Sequence, residues 1–131
     1  MKKMILVISL LIAIFSFSAA AFGQKAQRIT FAKGRTSAVV TGTLNGYKSH
    51  KTFTIRVRAG QTLTTENAGN NSITIGVEAP PGSTYEQDMA ADCHDRNEVN
   101  PTAAGVYKIT VTECLKADRW RGTFKFRVKV R

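Results

Sequence analysis

Downstream of residue 23 the chain lacks any apolar run long enough for a transmembrane helix, which takes about 20 residues. Cysteine, histidine and tryptophan are scarce, at two, two and one residues, and each scarcity removes a class of chemistry. Cys93 and Cys114 offer no CxxC spacing, so neither a zinc knuckle nor a thioredoxin-like redox pair is supported. His50 sits in a charged turn and His94 in Asp92-Cys-His-Asp95, and no nucleophile elbow or comparable signature accompanies either, which argues against an enzyme. The D-x-[DN]-x-[DN]-G calcium pattern is missing as well. Glu86, Asp88, Asp92, Asp95 and Glu98 nevertheless crowd one polar stretch, 83–100, and ion binding there stays an open alternative. No cofactor and no metal is implied. Residues 24–65 contain no acid at all but carry eight cations.

What is present begins with a leader. Lys2 and Lys3, the apolar run from Met4 to Phe17 and the small residues of Ala19-Ala-Ala-Phe-Gly23 stand in the order of a secretory signal peptide, assigned here to residues 1–23. An uncleaved anchor would want a longer apolar run. Residues 24–131 are then one exported domain, periplasmic or extracellular, with no transmembrane anchor after cleavage. In that compartment disulfides persist, so a structural Cys93–Cys114 bridge is the main reading of the cysteines, closing a loop worth roughly 3 kcal/mol.

The remainder reads as strands. In Gly122-Thr-Phe-Lys-Phe-Arg-Val-Lys-Val-Arg131, Phe124, Phe126, Val128 and Val130 alternate strictly with Lys125, Arg127, Lys129 and Arg131, as in a strand with one buried and one wet face. Similar segments are Arg28–Phe31, Ala38–Leu44, Thr52–Arg58, Gln61–Glu66, Ser72–Glu78 and Val106–Glu113, separated by Gly, Pro and Asn turns. The spacing predicts an all-β fold: a single-domain antiparallel β-sandwich of about eight short strands. Stretch 83–100 is predicted to be a long loop with one helical turn near Tyr85–Ala91. The charge pattern predicts cations over the strands and acids gathered on that loop, or, more blandly, a generally basic solvated surface, the chain's net charge of +10 falling to about +8 without Lys2 and Lys3 of the leader.

Cationic strand faces raise the question of nucleic acid. Phe31, Phe53, Tyr107, Phe124 and Phe126 fall on the apolar phase of their strands and read as core, which leaves few stacking platforms. Tyr47, Tyr85 and Trp120, in turns and connectors, are the exceptions. Nucleic acid is not the expected partner of an exported protein of this kind.

The order Phe31-Ala-Lys-Gly34, Gly42-Thr-Leu-Asn-Gly-Tyr47, Phe53-Thr-Ile-Arg-Val-Arg-Ala-Gly-Gln61, Pro81-Gly82 and Ala104-Gly-Val-Tyr107 resembles the periplasmic inhibitors of goose-type lysozyme. It also resembles the broader bacterial pre-peptidase C-terminal-like β-sandwich modules, through the A-G-Q-x-L turn and the G-x-Y-x-I-x-V strand. The resemblance implies a non-catalytic binding protein that inhibits a lysozyme-type muramidase by occluding its active-site cleft. It also implies partner-binding residues: Tyr47 in the Gly-Tyr turn, Tyr107 with Gly105 in the S-G-x-Y element, and Arg119 and Arg121 in the basic connector before the last strand; the adjoining Lys48 and the connector's Trp120 complete the expected set. Ala104 replaces the serine of S-G-x-Y, which removes a hydroxyl contact. Tyr107 is also in phase with Ile109 and Val111, which is a core position. The alternative function is an accessory module that binds acidic cell-envelope polymers through a cationic sheet face made by Arg56, Arg58, Lys125, Arg127 and Lys129.

Overall fold

The structure is a computed structural model that describes residues 25–46, 49–87, 93–116 and 120–131. The leader 1–23 and most of the anticipated helical turn lie outside the described residues. Eight strands follow in order: β1 (Gln27–Arg28), β2 (Ser37–Leu44), β3 (His50–Val57), β4 (Leu63–Asn67), β5 (Ile73–Glu78), β6 (Arg96–Val99), β7 (Gly105–Glu113) and β8 (Gly122–Val130). They form two four-stranded sheets, β1-β3-β7-β5 and β2-β8-β4-β6. Every pairing is antiparallel except the two-residue β1, which runs parallel to β3. This is the β-sandwich expected from the alternation. Among the described residues no helix is long and apolar enough to cross a membrane.

Period-2 patterning explains which side of each strand goes inside. On β8, Phe124, Phe126, Val128 and Val130 are buried while Lys125 and Arg127 are exposed. Phe53, Ile55 and Val57 of β3 and Tyr107, Ile109 and Val111 of β7 supply the facing layer. The two layers meet ring to ring. Phe53 of the first sheet stands edge-on to Phe124 and Phe126 of the second, with centroids 6.3 and 5.3 Å apart. Such contacts add about 0.5–1.5 kcal/mol each beyond the apolar area they bury.

Gly42 of β2 stands directly opposite Phe124 of β8. A Cβ at this position would lie 2.5 Å from Phe124 Cζ, so the ring occupies the space a side chain would need. The glycine that weakens β2 as a strand therefore makes room for the core aromatic.

Two expectations are corrected. The stretch 83–100 is not a loop throughout, because Arg96–Val99 forms β6 and pairs with β4, Thr64 opposite Glu98 and Thr65 opposite Asn97. Its alternation is concealed because the buried phase is Asn97 and Val99, and only one of the two is apolar. Asn97 is tolerated inside because its amide donates to Ile75 O at 2.7 Å and to Thr65 Oγ1 at 3.2 Å. The same stretch also covers the free edge of β5: Ile75 N donates to His94 O, and Val77 N to Gln87 Oε1. An open strand edge is thus closed by the chain that goes on to join the other sheet.

The second correction concerns charge. Glu98, expected on the acidic loop, is exposed on β6, and Glu66 lies on β4 opposite Arg127 of β8. Glu66 and Arg127 form an ion pair at 3.5 Å. The outer face of the second sheet therefore mixes both signs.

Candidate functional site

Strand register sorts the connections between two ends of the sandwich. Leu44 opposite Gly122, His50 opposite Thr112 and Ile73 opposite Glu113 bring residues 45–46, 49, 68–72, 114–116 and 120–121 to one end. Val57 opposite Gly105 and Leu63 opposite Val99 bring the 58–62 and 100–104 turns to the other. Tyr47, Lys48 and Arg119 lie outside the described residues. The strand ends that flank them, however, belong to the first end, as do Trp120 and Arg121.

Trp120 is held there by three kinds of contact. It is half-buried against the core, its indole Nε1 donates to Ser72 O at 2.9 Å, and its backbone N donates to Glu113 Oε1 at 3.0 Å. Glu113 is on the inward phase of β7 and is 1% exposed, and its Oε2 has no hydrogen-bond partner among the described residues. A buried carboxylate is thus held at the start of the segment that leads from Trp120 into β8. Arg121 itself is exposed.

The disulfide anchors the same end. Cys93 and Cys114 are bonded, with Cα atoms 4.5 Å apart, and tie the segment before β6 to the end of β7. Cys93 N also donates to Thr74 Oγ1 at 2.9 Å, and Cys114 N to Ser72 O at 3.2 Å. Ser72 O therefore accepts from both Trp120 and Cys114, and the connector is fixed at its two extremities by one turn.

Tyr107 is placed differently from the rest of its proposed set. It is fully buried, in the half of β7 nearest the opposite end, where its hydroxyl accepts from Ala103 N at 3.0 Å and donates to Ala103 O at 3.1 Å. It has no surface to offer a partner directly. What it does is hold the 100–104 turn. Gly105 next to it has φ 145° and packs so closely on Pro80 that a Cβ would come within 2.8 Å of that ring. The G-x-Y element is thus built into the fold by packing and hydrogen bonding.

The five cations of the polymer-binding alternative do not share a face. Arg56 is exposed on the outer side of the β1-β3-β7-β5 sheet, with Arg58 just past β3, whereas Lys125, Arg127 and Lys129 line the outer side of the other sheet beside Glu66 and Glu98. Among the described residues no group of three His, Cys, Asp or Glu side chains converges as a metal site would require. Tyr85, half-buried over the β5 edge, has its phenol pKa pushed above the ordinary value by burial. Its hydroxyl donates to Gln87 Oε1 or to Asn97 Oδ1.

No protein-family model and no curated protein matches the chain at a significant level. Solved structures do match. PliG of Aeromonas hydrophila, a periplasmic inhibitor of g-type lysozyme, superposes with a TM-score of 0.62 at 21% identity, over 82% of this chain and 96% of that one. PliG of Salmonella Typhimurium, also a periplasmic inhibitor of g-type lysozyme, gives 0.58 at 18% identity over 83% and 98%. The pre-peptidase C-terminal domain of a Bacillus anthracis collagenase gives 0.51 at 18% identity over 83% and 97%. At these identities the likeness establishes the fold. The two families whose motifs the sequence resembles are both found again by shape.

Proposed function

We propose that this protein is an exported, non-catalytic inhibitor of a lysozyme-type muramidase, working in the periplasm by occluding the enzyme's cleft with the end of the sandwich that carries Trp120. The observation that supports this reading most directly is the fold shared, over at least 82% of the chain, with two inhibitors of g-type lysozyme. The chemistry is compatible. Glycosidase clefts carry a pair of carboxylates, and the sequence supplies Lys48, Lys116, Arg119 and Arg121 in the two connections whose flanking strand ends meet beside the anchored indole. Tyr47, Lys48, Arg119, Trp120 and Arg121 are the proposed contacts. Tyr107 supports the fold at the opposite end and contributes indirectly.

The test is a titration of goose-, chicken- and invertebrate-type lysozymes with the purified protein, following residual hydrolysis of cell walls. Inhibition of the goose type at micromolar concentration is expected. Tyr47→Ala and Trp120→Ala should each weaken it by roughly tenfold or more, as aromatic anchors at interface centres do. The absence of inhibition of all three at micromolar concentration overturns the proposal. The polymer-binding alternative is left with a divided cation set, and predicts binding that falls steeply with salt. An anchored plug should resist salt.

A further inference from the structure

Arg28 of β1, Arg56 of β3, Arg58 just beyond β3 and Arg35 of the β1–β2 connection line one concavity of about 460 Å³. Phe31 and Val57 also line it, and among the described residues no carboxylate does. The volume is of the size that holds small ligands, roughly 300–1,000 Å³. The cleft lies toward the end of the sandwich opposite Trp120, since Val57 pairs with Gly105 while Glu113, which holds Trp120, is at the far end of the same β7.

Four arginines, whose guanidinium groups stay charged at any working pH, line this space. Arg127 on β8 is set against Glu66, but here the charge is left uncompensated by any lining residue. All the cations lining the cleft are arginine and none is lysine. The planar fork of arginine suits bidentate hydrogen bonding to an oxyanion, where lysine offers a point charge. A phosphate monoester carries about −1.5 to −2 near neutral pH and three acceptor oxygens, so two of them balance four arginines. A lone carboxylate supplies one charge and leaves most of the forks unfilled.

We propose that this arginine cleft is a binding site for a ligand bearing two or more phosphate groups, either free in solution or displayed by lipid headgroups. It is separate from the lysozyme-binding end, so a phosphate-bearing surface and an enzyme can be held at once. The site does not depend on the inhibitor reading.

The experiment has two arms, both with the purified protein. The first is calorimetric titration with inorganic tripolyphosphate. The second is flotation with phosphatidylcholine vesicles that contain or lack phosphatidic acid. Binding in either arm is expected, and the arm that responds identifies the source of the phosphate. Arg35→Gln/Arg58→Gln should weaken that binding roughly tenfold or more, and Lys125→Gln/Lys129→Gln should leave it within about threefold. Arg28→Gln/Arg56→Gln, on the strands themselves, repeats the test should the first pair fail to fold by circular dichroism. Lysozyme inhibition by the arginine variants should be unchanged, which separates this site from the other. Absence of binding in both arms overturns the proposal, and so does equal loss in the lysine variant, since attraction would then be diffuse.

Discussion

Opening the Cys93–Cys114 bridge should cost this protein about 3 kcal/mol of stability, acting through the unfolded chain. The bonded residues are 21 apart in sequence. The chain-entropy relation then gives a loss of about 11 cal/mol/K, or about 3.3 kcal/mol at 25 °C. Cys114 is 2% exposed, so replacing both residues by alanine also removes packed volume at one buried site, for roughly a further 0.5–1 kcal/mol. Against a total of about 5–15 kcal/mol for a domain of this kind, such a loss is large. It should lower Tm by on the order of 15 °C. Three samples separate the contributions in urea unfolding: oxidised wild type, reduced wild type and Cys93→Ala/Cys114→Ala. Reduction leaves the core atoms in place, so its effect isolates the loop. An expanded unfolded state should also raise the m-value on reduction. A loss below about 1 kcal/mol with unchanged m would refute the reasoning, and would mean that the turn contacts of Cys93 with Thr74 and of Cys114 with Ser72 already hold this end of the sandwich without the bond.

Three further outcomes are expected. Gly42→Ala should destabilise by about 1–3 kcal/mol in the same assay, since its Cβ meets the Phe124 ring in a core with no room to yield, and a neutral effect would show that ring to be mobile. Arg127→Gln, which removes an ion pair whose partners are 50% and 39% exposed, should change stability by less than about 1 kcal/mol, and a larger effect would mean a network not seen here. The phenol of Tyr85 should titrate above 10.0 in an ultraviolet difference titration against Tyr85→Phe. The folded-state value lies above the unfolded one, so the folded chain binds more protons between the two, and stability falls as pH rises from about 10. Below that value Tyr85 adds no pH dependence, and an unshifted transition would mean that the phenol is solvated.

Apart from the first strand, expected at Arg28–Phe31 but observed as Gln27–Arg28 because only these two residues pair with β3, segments with apolar alternation were readable to within one or two residues. Predicted strand Ser72–Glu78 is observed as Ile73–Glu78, and Gly122–Arg131 as Gly122–Val130. β6 was not readable, because Arg96-Asn-Glu-Val99 has one apolar side chain and its inward Asn97 is accepted only through partners on two other strands. The division of the candidate residues was equally hidden. Tyr47, Trp120 and Tyr107 look alike in the chain, each an aromatic beside a glycine or a cation, yet Tyr107 is buried toward one end while Trp120 closes the other.

The amino-acid order alone determined the class of fold, the buried face of each strongly alternating strand and the Cys93–Cys114 pairing, since alternation and loop closure are local properties of a chain. Tertiary structure decided which strand ends meet, which cations share a face and where four arginines converge. Those follow from strand order and register between distant segments, where a slip of one residue exchanges the two faces.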